Sequence, residues 1–347
     1  MRFGLIGAGN MGQLRSKALH NSPVCDLVAV ADLDLDRARA AAGAAETWVT
    51  DDYRKLLQSE QVEAVVVSTP PPYHEEVVVA ALKSGKHVLC EKPLANTIEA
   101  SHRMVTAARK TGQTLASGFN FRYVPSVQFL KQTLDSGLIG ELDHVRGYAG
   151  HLGLTEFKAD WEHDKKVVGG GALMDIGIHM IDLTRYILGD VVEVFGHTSG
   201  NVWKLDGSED NGFAILQNPE GKVASLHASW TEWKGYRFQI EVYGDRGMIQ
   251  ARYGPMMNTW IYMDQLGGQR HRKSNFYPMT AVKEKLRGWQ WSIEKSLRDE
   301  LGDFVRLAQG ESSNIADGFA GFRAVEIADA IYRSSAEKRP VALVEPF

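Results

Sequence analysis

Phe3-Gly4-Leu5-Ile6-Gly7-Ala8-Gly9-Asn10-Met11-Gly12 is a short apolar run that enters glycines spaced Gly-x-Gly-x-x-Gly, and a helix-like stretch from Gln13 to His20 follows it. Gly7 permits a tight turn, Gly9 lets the backbone approach a pyrophosphate, and Gly12 allows close packing of helix on strand. Asn10 and Met11 fall at the helix start, whose free N–H groups favour phosphate. A second apolar run, Leu27 to Ala31, ends in Asp32. That is about twenty residues past Gly12, where a ribose-binding acid belongs. A carboxylate there accepts from a 2′-hydroxyl and repels a 2′-phosphate, so the expected cofactor is NAD rather than NADP.

The alternation of buried strand and helix continues. Val62 to Val67 reads as a strand that runs into Ser68-Thr69-Pro70-Pro71-Pro72-Tyr73-His74. The prolines end the strand and place Ser68, Thr69, Pro70 and His74 at the carboxyl edge of the sheet, where open α/β folds bind ligands. A helix from Glu75 to Ser84 stops at Gly85, and a strand from His87 to Cys90 delivers Glu91-Lys92-Pro93. Lysine is rarely buried without a partner or a task, so this charged pair beside the cofactor edge marks Glu91 and Lys92 as site residues. A helix from Asn96 to Gly112, a strand from Thr114 to Ser117 and a crossing at Phe119 to Tyr123 complete the unit. The fold class is α/β, with an N-terminal Rossmann dinucleotide-binding domain over residues 1–119 and a C-terminal α+β domain over residues 120–347.

Gly169-Gly170-Gly171-Ala172-Leu173-Met174-Asp175-Ile176-Gly177-Ile178-His179-Met180-Ile181-Asp182 holds the second candidate site. Its glycines read as a flexible loop that feeds a helix, on which Asp175 and His179, four apart, lie one above the other. The carboxylate can accept one ring N–H and leave the other nitrogen to handle a substrate proton. A glycine-rich turn that enters a core helix with a satisfied histidine gives the same pattern.

Beyond a helix from Val124 to Ser136, the segments Glu141 to Tyr148, Val191 to His197, Gly212 to Leu216, Val223 to Trp230, Phe238 to Tyr243 and Met248 to Arg252 alternate like strands. They predict a large open, mostly antiparallel sheet. Trp230, Trp233, Trp260, Trp289 and Trp291 are assigned to core or interface. Glu294 to Ala308 and Asp317 to Ser335 read as amphipathic helices, with Asp299-Glu300 on a solvated face, and Pro340 to Val344 as a returning strand. An open sheet with one bare face exposes an apolar patch that symmetric pairing covers, so a homo-oligomer is expected.

Composition narrows the classes. A chain of 347 residues with 44% hydrophobic and 24% charged residues reads as a soluble globular protein of about two domains. The net charge of −4 argues against a nucleic-acid surface, and Arg270-His271-Arg272-Lys273 reads as a solvated loop. No apolar run predicts a membrane span or a signal-peptide core. Cys25 and Cys90 lie in no ligand spacing, as expected of a reduced cytoplasmic protein, and no metal is expected at Asp175, His179 and Asp182.

Taken in order, Gly7 to Gly12, Thr69-Pro70-Pro71 with His74, Gly85-Lys86-His87-Val88 leading into Glu91-Lys92-Pro93-Leu94-Ala95, and Gly169 to His179 resemble the Gfo/Idh/MocA family of nicotinamide-dependent sugar and cyclitol oxidoreductases. The likeness covers nearly the whole chain, and the Glu-Lys-Pro and Asp-x-Gly-x-His segments are its most specific parts. It implies NAD-dependent hydride transfer with a secondary alcohol of a sugar, sugar derivative or cyclitol, giving a keto-sugar or inosose. It implies Lys92 by the nicotinamide, His179 as the catalytic histidine and Asp175 as its supporting acid. Asn120 and Arg122 match the family's Asn-x-Arg motif near cofactor and substrate. Trp161 falls where many members have Trp-Arg, but Glu162 follows here, which puts the arginine's role in doubt. The resemblance also implies a homodimer or homotetramer paired through the C-terminal sheet. Two alternatives stay open: a dinucleotide-sensing regulator without catalysis, and an oxidoreductase that holds NAD tightly and recycles it between two substrates.

Overall fold

The computed structural model describes residues 1–43, 46–155, 157, 159–288 and 290–343. Trp289 and Val344, assigned above to core or interface and to a final strand, lie outside the described residues. The chain forms two compact units, Met1–Tyr123 with Lys283–Val325, and Val124–Val282 with Glu326–Phe347.

In the first unit β1 (Arg2–Ile6), α1 (Asn10–His20), β2 (Asp26–Ala31), α2 (Leu35–Ala42), β3 (Trp48–Thr50), α3 (Tyr53–Gln58), β4 (Ala64–Val67), α4 (His74–Lys83), β5 (His87–Cys90), α5 (Ile98–Thr111) and β6 (Leu115–Ser117) follow one another. The strands are parallel in the order β3-β2-β1-β4-β5-β6. The order reverses between β1 and β4, so the loops that leave these two strands open the crevice where such sheets take ligands. Both faces of the sheet are buried, which is why β4 is apolar at every position. One apolar cluster gathers Val65, Val67, Val88 and Cys90 under α4 and α5, and the other gathers Phe3, Leu5, Val30 and Val66 under α1. Asp34, Asp52 and Thr97 cap α2, α3 and α5 through their side-chain oxygens. α2, β3 and α3 are short and carry little pattern of their own. α2 buries only alanines, Ala38, Ala41 and Ala42, and β3 is a three-residue strand with Trp48 and Val49 half-buried.

The second unit begins with α6 (Pro125–Asp135), β7 (Leu142–Gly150), α7 (Lys165–Val168) and α8 (Ile178–Leu188). It continues through β8 (Glu193–Ser199), β9 (Asn211–Gln217), β10 (Val223–Ser229), β11 (Arg237–Gly244), β12 (Gly247–Tyr253), β13 (Met257–Met263) and β14 (Arg270–Phe276). Along the chain α9 (Pro278–Arg287), α10 (Gln290–Ala308), α11 (Gly318–Glu337) and β15 (Val341–Ala342) follow, of which α10 and the start of α11 fall in the first unit. The nine-stranded sheet runs β14-β13-β12-β11-β7-β10-β9-β8-β15 and is antiparallel except where β7 meets β10. One face carries Val145, Leu216, Leu226, Ile240, Val242 and Ile249, all buried, with α6 and α8 packed on the sheet. The helical run Lys165–Leu188 is apolar enough by composition to cross a membrane, but 83% of its apolar 18-residue stretch is buried inside the protein, as in a core helix.

Two expectations fail for physical reasons. Arg270-His271-Arg272-Lys273 is not a loop but part of the edge strand β14, with Lys273 opposite Trp260 and His271 opposite Tyr262. Tyr262 stacks on His271 at 5.0 Å, and the Lys273 ammonium lies 5.5 Å from the Tyr262 ring centre. A charged edge strand discourages pairing with another chain, and the charges hid its alternation. Glu300 is not on a solvated face either. The single boundary drawn after residue 119 assigned α10 to the second domain, whereas α10 belongs to the first unit and packs along α1. There it buries Leu297, Leu301 and Phe304 against the Phe3 cluster, and Glu300 is wholly buried with them.

Candidate active site

The glycine loop has a different reason for each glycine. Gly7 sits at φ +91°, and a Cβ there would lie 2.7 Å from the Ser68 carbonyl carbon, so the loops after β1 and β4 touch. A Cβ on Gly12 would collide with the carbonyl of Gly7. At Gly9 a Cβ would meet no protein atom within 4 Å, so the protein's own packing does not demand glycine there. Close approach by an outside group does. Asn10 is exposed and Met11 packs on the core beneath the loop. Asp32 accepts from the Ala8 N–H at 2.6 Å and the Asp34 N–H at 2.9 Å, which fixes its carboxylate at the end of β2 and ties it to the loop. Across the crevice the Ser68 and Thr69 hydroxyls are buried without a hydrogen-bond partner. Orphaned buried donors are uncommon in a folded chain and fit a ligand that would satisfy them. An open cradle, a fixed carboxylate and two waiting hydroxyls fit a dinucleotide.

His74 and Glu91, expected to touch the cofactor, turn inward. His74 is wholly buried, with Nε2 2.7 Å from the Thr69 carbonyl and Nδ1 3.1 Å from the carbonyls of Pro93 and Leu94. It clasps the Thr69-Pro70 loop to the loop after Lys92, and burial pushes its pKa down against the pull of those carbonyls. Glu91 accepts from Arg15 Nε at 2.5 Å and from the Lys92 N–H at 3.2 Å, and Arg15 Nη1 donates to Glu300 at 2.5 Å. The Arg15 and Glu300 side chains are 0% exposed and that of Glu91 8%. One cation faces two carboxylates. Burial raises the Glu300 carboxyl to about 7, with Arg15 opposing and Glu91 adding to the rise. Gly118 closes over the cluster, since a Cβ there would lie 2.6 Å from Arg15 Nη2. Lys92 is half-buried at the end of this braced strand.

Asn120 and Arg122 have structural partners in the same unit. Asn120 Nδ2 donates to Ser296 Oγ at 2.9 Å, Arg122 Nη1 to the Asn314 carbonyl at 2.9 Å, and Tyr123 OH to Asp303 at 2.9 Å. The segment thereby fastens α10 and the chain after it to the Rossmann unit.

In the second unit the glycine-rich stretch is clamped rather than flexible. A Cβ on Gly170 would overlap the Tyr332 hydroxyl, and one on Gly171 the backbone of Glu209. Glu209 Oε2 accepts from the Gly171 N–H, and Oε1 from the Leu173 N–H, both at 2.8 Å, and Tyr332 OH donates to the same Oε1 at 3.0 Å. Burial raises the Glu209 carboxyl while those N–H groups pull it down. The glycines serve close packing, and neither Glu209 nor Tyr332 carries a motif that announces it.

Leu173–Gly177 is a π turn that leads into α8. Asp175 lies within this π turn and His179 in the helix it leads into, and such turns gather at functional sites. The Asp175 carboxylate accepts from His151 Nε2 at 2.7 Å and Trp230 Nε1 at 3.0 Å, both on Oδ2. The Gly153 N–H donates to His151 Nδ1 at 3.1 Å, which places the ring proton on Nε2. His151 and Trp230 are buried, whereas the Asp175 side chain stays 23% exposed. His179 lies in the first turn of α8 and is buried. Trp161 is exposed on the short turn Asp160–His163. Among the described residues no cluster of His, Cys, Asp or Glu could hold a metal ion.

Residues 1–119 match the profile of an oxidoreductase family with an NAD-binding Rossmann fold, and residues 127–250 match the GFO/IDH/MocA C-terminal domain. A D-glucoside 3-dehydrogenase of Escherichia coli is 36% identical over 96% of this chain and 95% of its own. The chain belongs to the Gfo/Idh/MocA oxidoreductase family. A myo-inositol 2-dehydrogenase of Thermotoga maritima is 30% identical over 99% of both chains. A solved levoglucosan dehydrogenase in complex with NADH and levoglucosan aligns with a TM-score of 0.86 at 26% identity, over 99% of this chain and 100% of that one. The cofactor is NAD, and the dinucleotide domain is the N-terminal one.

Proposed function

We propose that this chain oxidises a secondary ring hydroxyl of a sugar, glycoside or cyclitol with NAD, giving a keto-sugar or inosose. The observation that carries this reading is the Asp175 carboxylate, partly exposed and aimed by two buried N–H donors, four residues before His179 in a Gfo/Idh/MocA chain. The matched relatives, a glucoside and an inositol dehydrogenase by name, support the substrate class. His179 accepts the hydroxyl proton as general base, and Asp175 supports the cation that forms. Lys92 supplies positive charge at the end of β5, beside the bound nicotinamide. Bound NAD supplies the hydride acceptor. Asp32 receives the ribose, Ser68 and Thr69 donate to the dinucleotide, and exposed Trp161 offers an aromatic face to the sugar ring. The test is a panel of glucosides, levoglucosan, free hexoses and myo-inositol, with NADH absorbance followed in time. At least one cyclic alcohol should yield NADH. If NAD binds and none does, the proposal fails.

Preference for NAD over NADP rests on Asp32. Leu33 is 92% exposed and has room to become arginine. Asp32→Ser with Leu33→Arg should raise the ratio of NADP to NAD efficiency. It should also lower kcat/KM with NAD by about tenfold or more, because the Ala8 N–H loses a charged acceptor. Wild-type enzyme that used NADP as well as NAD would contradict the role given to Asp32.

We also propose a symmetric oligomer through the bare sheet face. Phe195 pairs with Ile215 and His197 with Phe213 on that face, where Phe195, Phe213 and Ile215 are about half exposed. A contiguous exposed apolar face of this kind usually marks an interface. Light scattering should show a dimer or larger assembly that Ile215→Asp shifts toward monomer. A wild-type monomer at micromolar concentration would refute the proposal.

A further inference from the structure

Two N–H donors from separate segments of the second unit converge on one carboxylate oxygen, Asp175 Oδ2. His151 follows β7, Trp230 follows β10, and Gly153 and Trp203 lie on the loops beside them. Trp203 Nε1 donates to the Trp230 carbonyl at 2.8 Å, and a Cβ on Gly153 would lie 2.5 Å from that Nε1. Gly153 sits at φ +56°, a conformation that favours glycine. The Trp230 backbone is held in turn by its N–H bond to the Asp210 carbonyl at 2.7 Å. This framework aims the Gly153 N–H at His151 Nδ1, so His151 presents Nε2–H to Asp175 Oδ2 alongside the indole N–H of Trp230. Packing alone needs none of these polar matches, since His151 also lies against the rings of Tyr236, Phe157 and Trp230. A phenylalanine would fill that space.

We propose that His151 is a positioning residue of the reaction, holding the Asp175 carboxylate in its working orientation through Nε2–H with Trp230 as second donor. This rests on the reading of Asp175 and His179 given above. His151 itself is 5% exposed and has both ring nitrogens engaged, so it acts through Asp175 and not on substrate. A charge-assisted hydrogen bond fixes direction, and a carboxylate that loses one is held less firmly.

The test compares His151→Leu with His151→Gln, whose amide N–H can reach the place of Nε2. With the best alcohol of the panel, His151→Leu should lose kcat by about ten- to hundredfold, the worth of a hydrogen bond to a charged group, while NAD affinity by fluorescence titration stays within about twofold. His151→Gln should recover most of that loss, which a merely space-filling role would not produce. Because His151→Leu can fail to fold, ring-15N spectra of wild-type protein supply a second reading: Nε2 protonated, Nδ1 accepting, and the pattern altered by Asp175→Asn. Wild-type kcat in His151→Leu, equal losses in both variants, or a ring protonated at Nδ1 alone would overturn the proposal. If the wild type oxidises no cyclic alcohol, the reading of the site falls and this role with it. If it does and His151→Leu matches it, only the role of His151 falls.

Discussion

His179→Ala is expected to lower kcat by about 10²–10⁴-fold, the usual worth of a positioned general base, with NAD affinity nearly unchanged. The histidine lies in the first turn of α8, behind a π turn that Glu209 and Tyr332 hold from outside the helix. Removing the ring therefore leaves its supports in place, and the loss reads chemistry rather than collapse. Lys92→Ala should lose activity by the same order, but with some loss of NAD affinity, because Lys92 leaves the strand that also frames the cofactor crevice. Steady-state kinetics alongside fluorescence titration of NAD separate the two. Near-normal turnover of His179→Ala across the pH range would return this histidine to the core.

Arg15→Met is expected to destabilise the first unit by about 3–5 kcal/mol, the cost of breaking a buried ion pair from one side. Glu91 and Glu300 would then share a buried site with no cation between them. The pH dependence of Glu300 has a definite sign. Its carboxyl is raised from 4.5 to about 7, so between those values the folded protein holds a proton that the unfolded chain releases. That contribution is fully present below 4.5 and is lost as pH rises through about 7. Glu300→Gln, which mimics the neutral acid, should gain on wild type in thermal midpoint from mildly acidic to mildly alkaline pH. Arg15→Met should lose most at the alkaline end, where both carboxylates ionise. A midpoint of Arg15→Met within a degree or two of wild type would show that the triad is not braced as described.

The parts of the fold readable from the sequence were those set by local pattern. β1, β2, β4 and β5 announce themselves because both faces are buried, and the glycine fingerprint because Gly7 and Gly12 answer backbone needs nearby. What stayed hidden was decided by distant contacts. Glu300 looks like any helix-surface acid until Arg15, 285 residues away, is placed against it. His151 carries no motif, and its meaning appears only when the π turn brings Asp175 to it. Gly170 and Gly171 suggested mobility, yet Tyr332 and Glu209 occupy the space a side chain would need. β14 was obscured by its charges, which suit an edge. Lys92, Asp175 and His179 could be proposed from the sequence as residue types, while the groups that hold Asp175 could not.

The most direct test of the account is isotopic. The best cyclic alcohol of the panel, deuterated at its ring carbinol carbons, would be incubated with the enzyme and NAD, and the NADH formed would be examined by NMR. The account predicts deuterium at nicotinamide C4 and a carbonyl at the ring carbon that lost it, with formation of both suppressed in His179→Ala. NADH free of label, or no NADH from any cyclic alcohol by an enzyme that binds NAD, would contradict it.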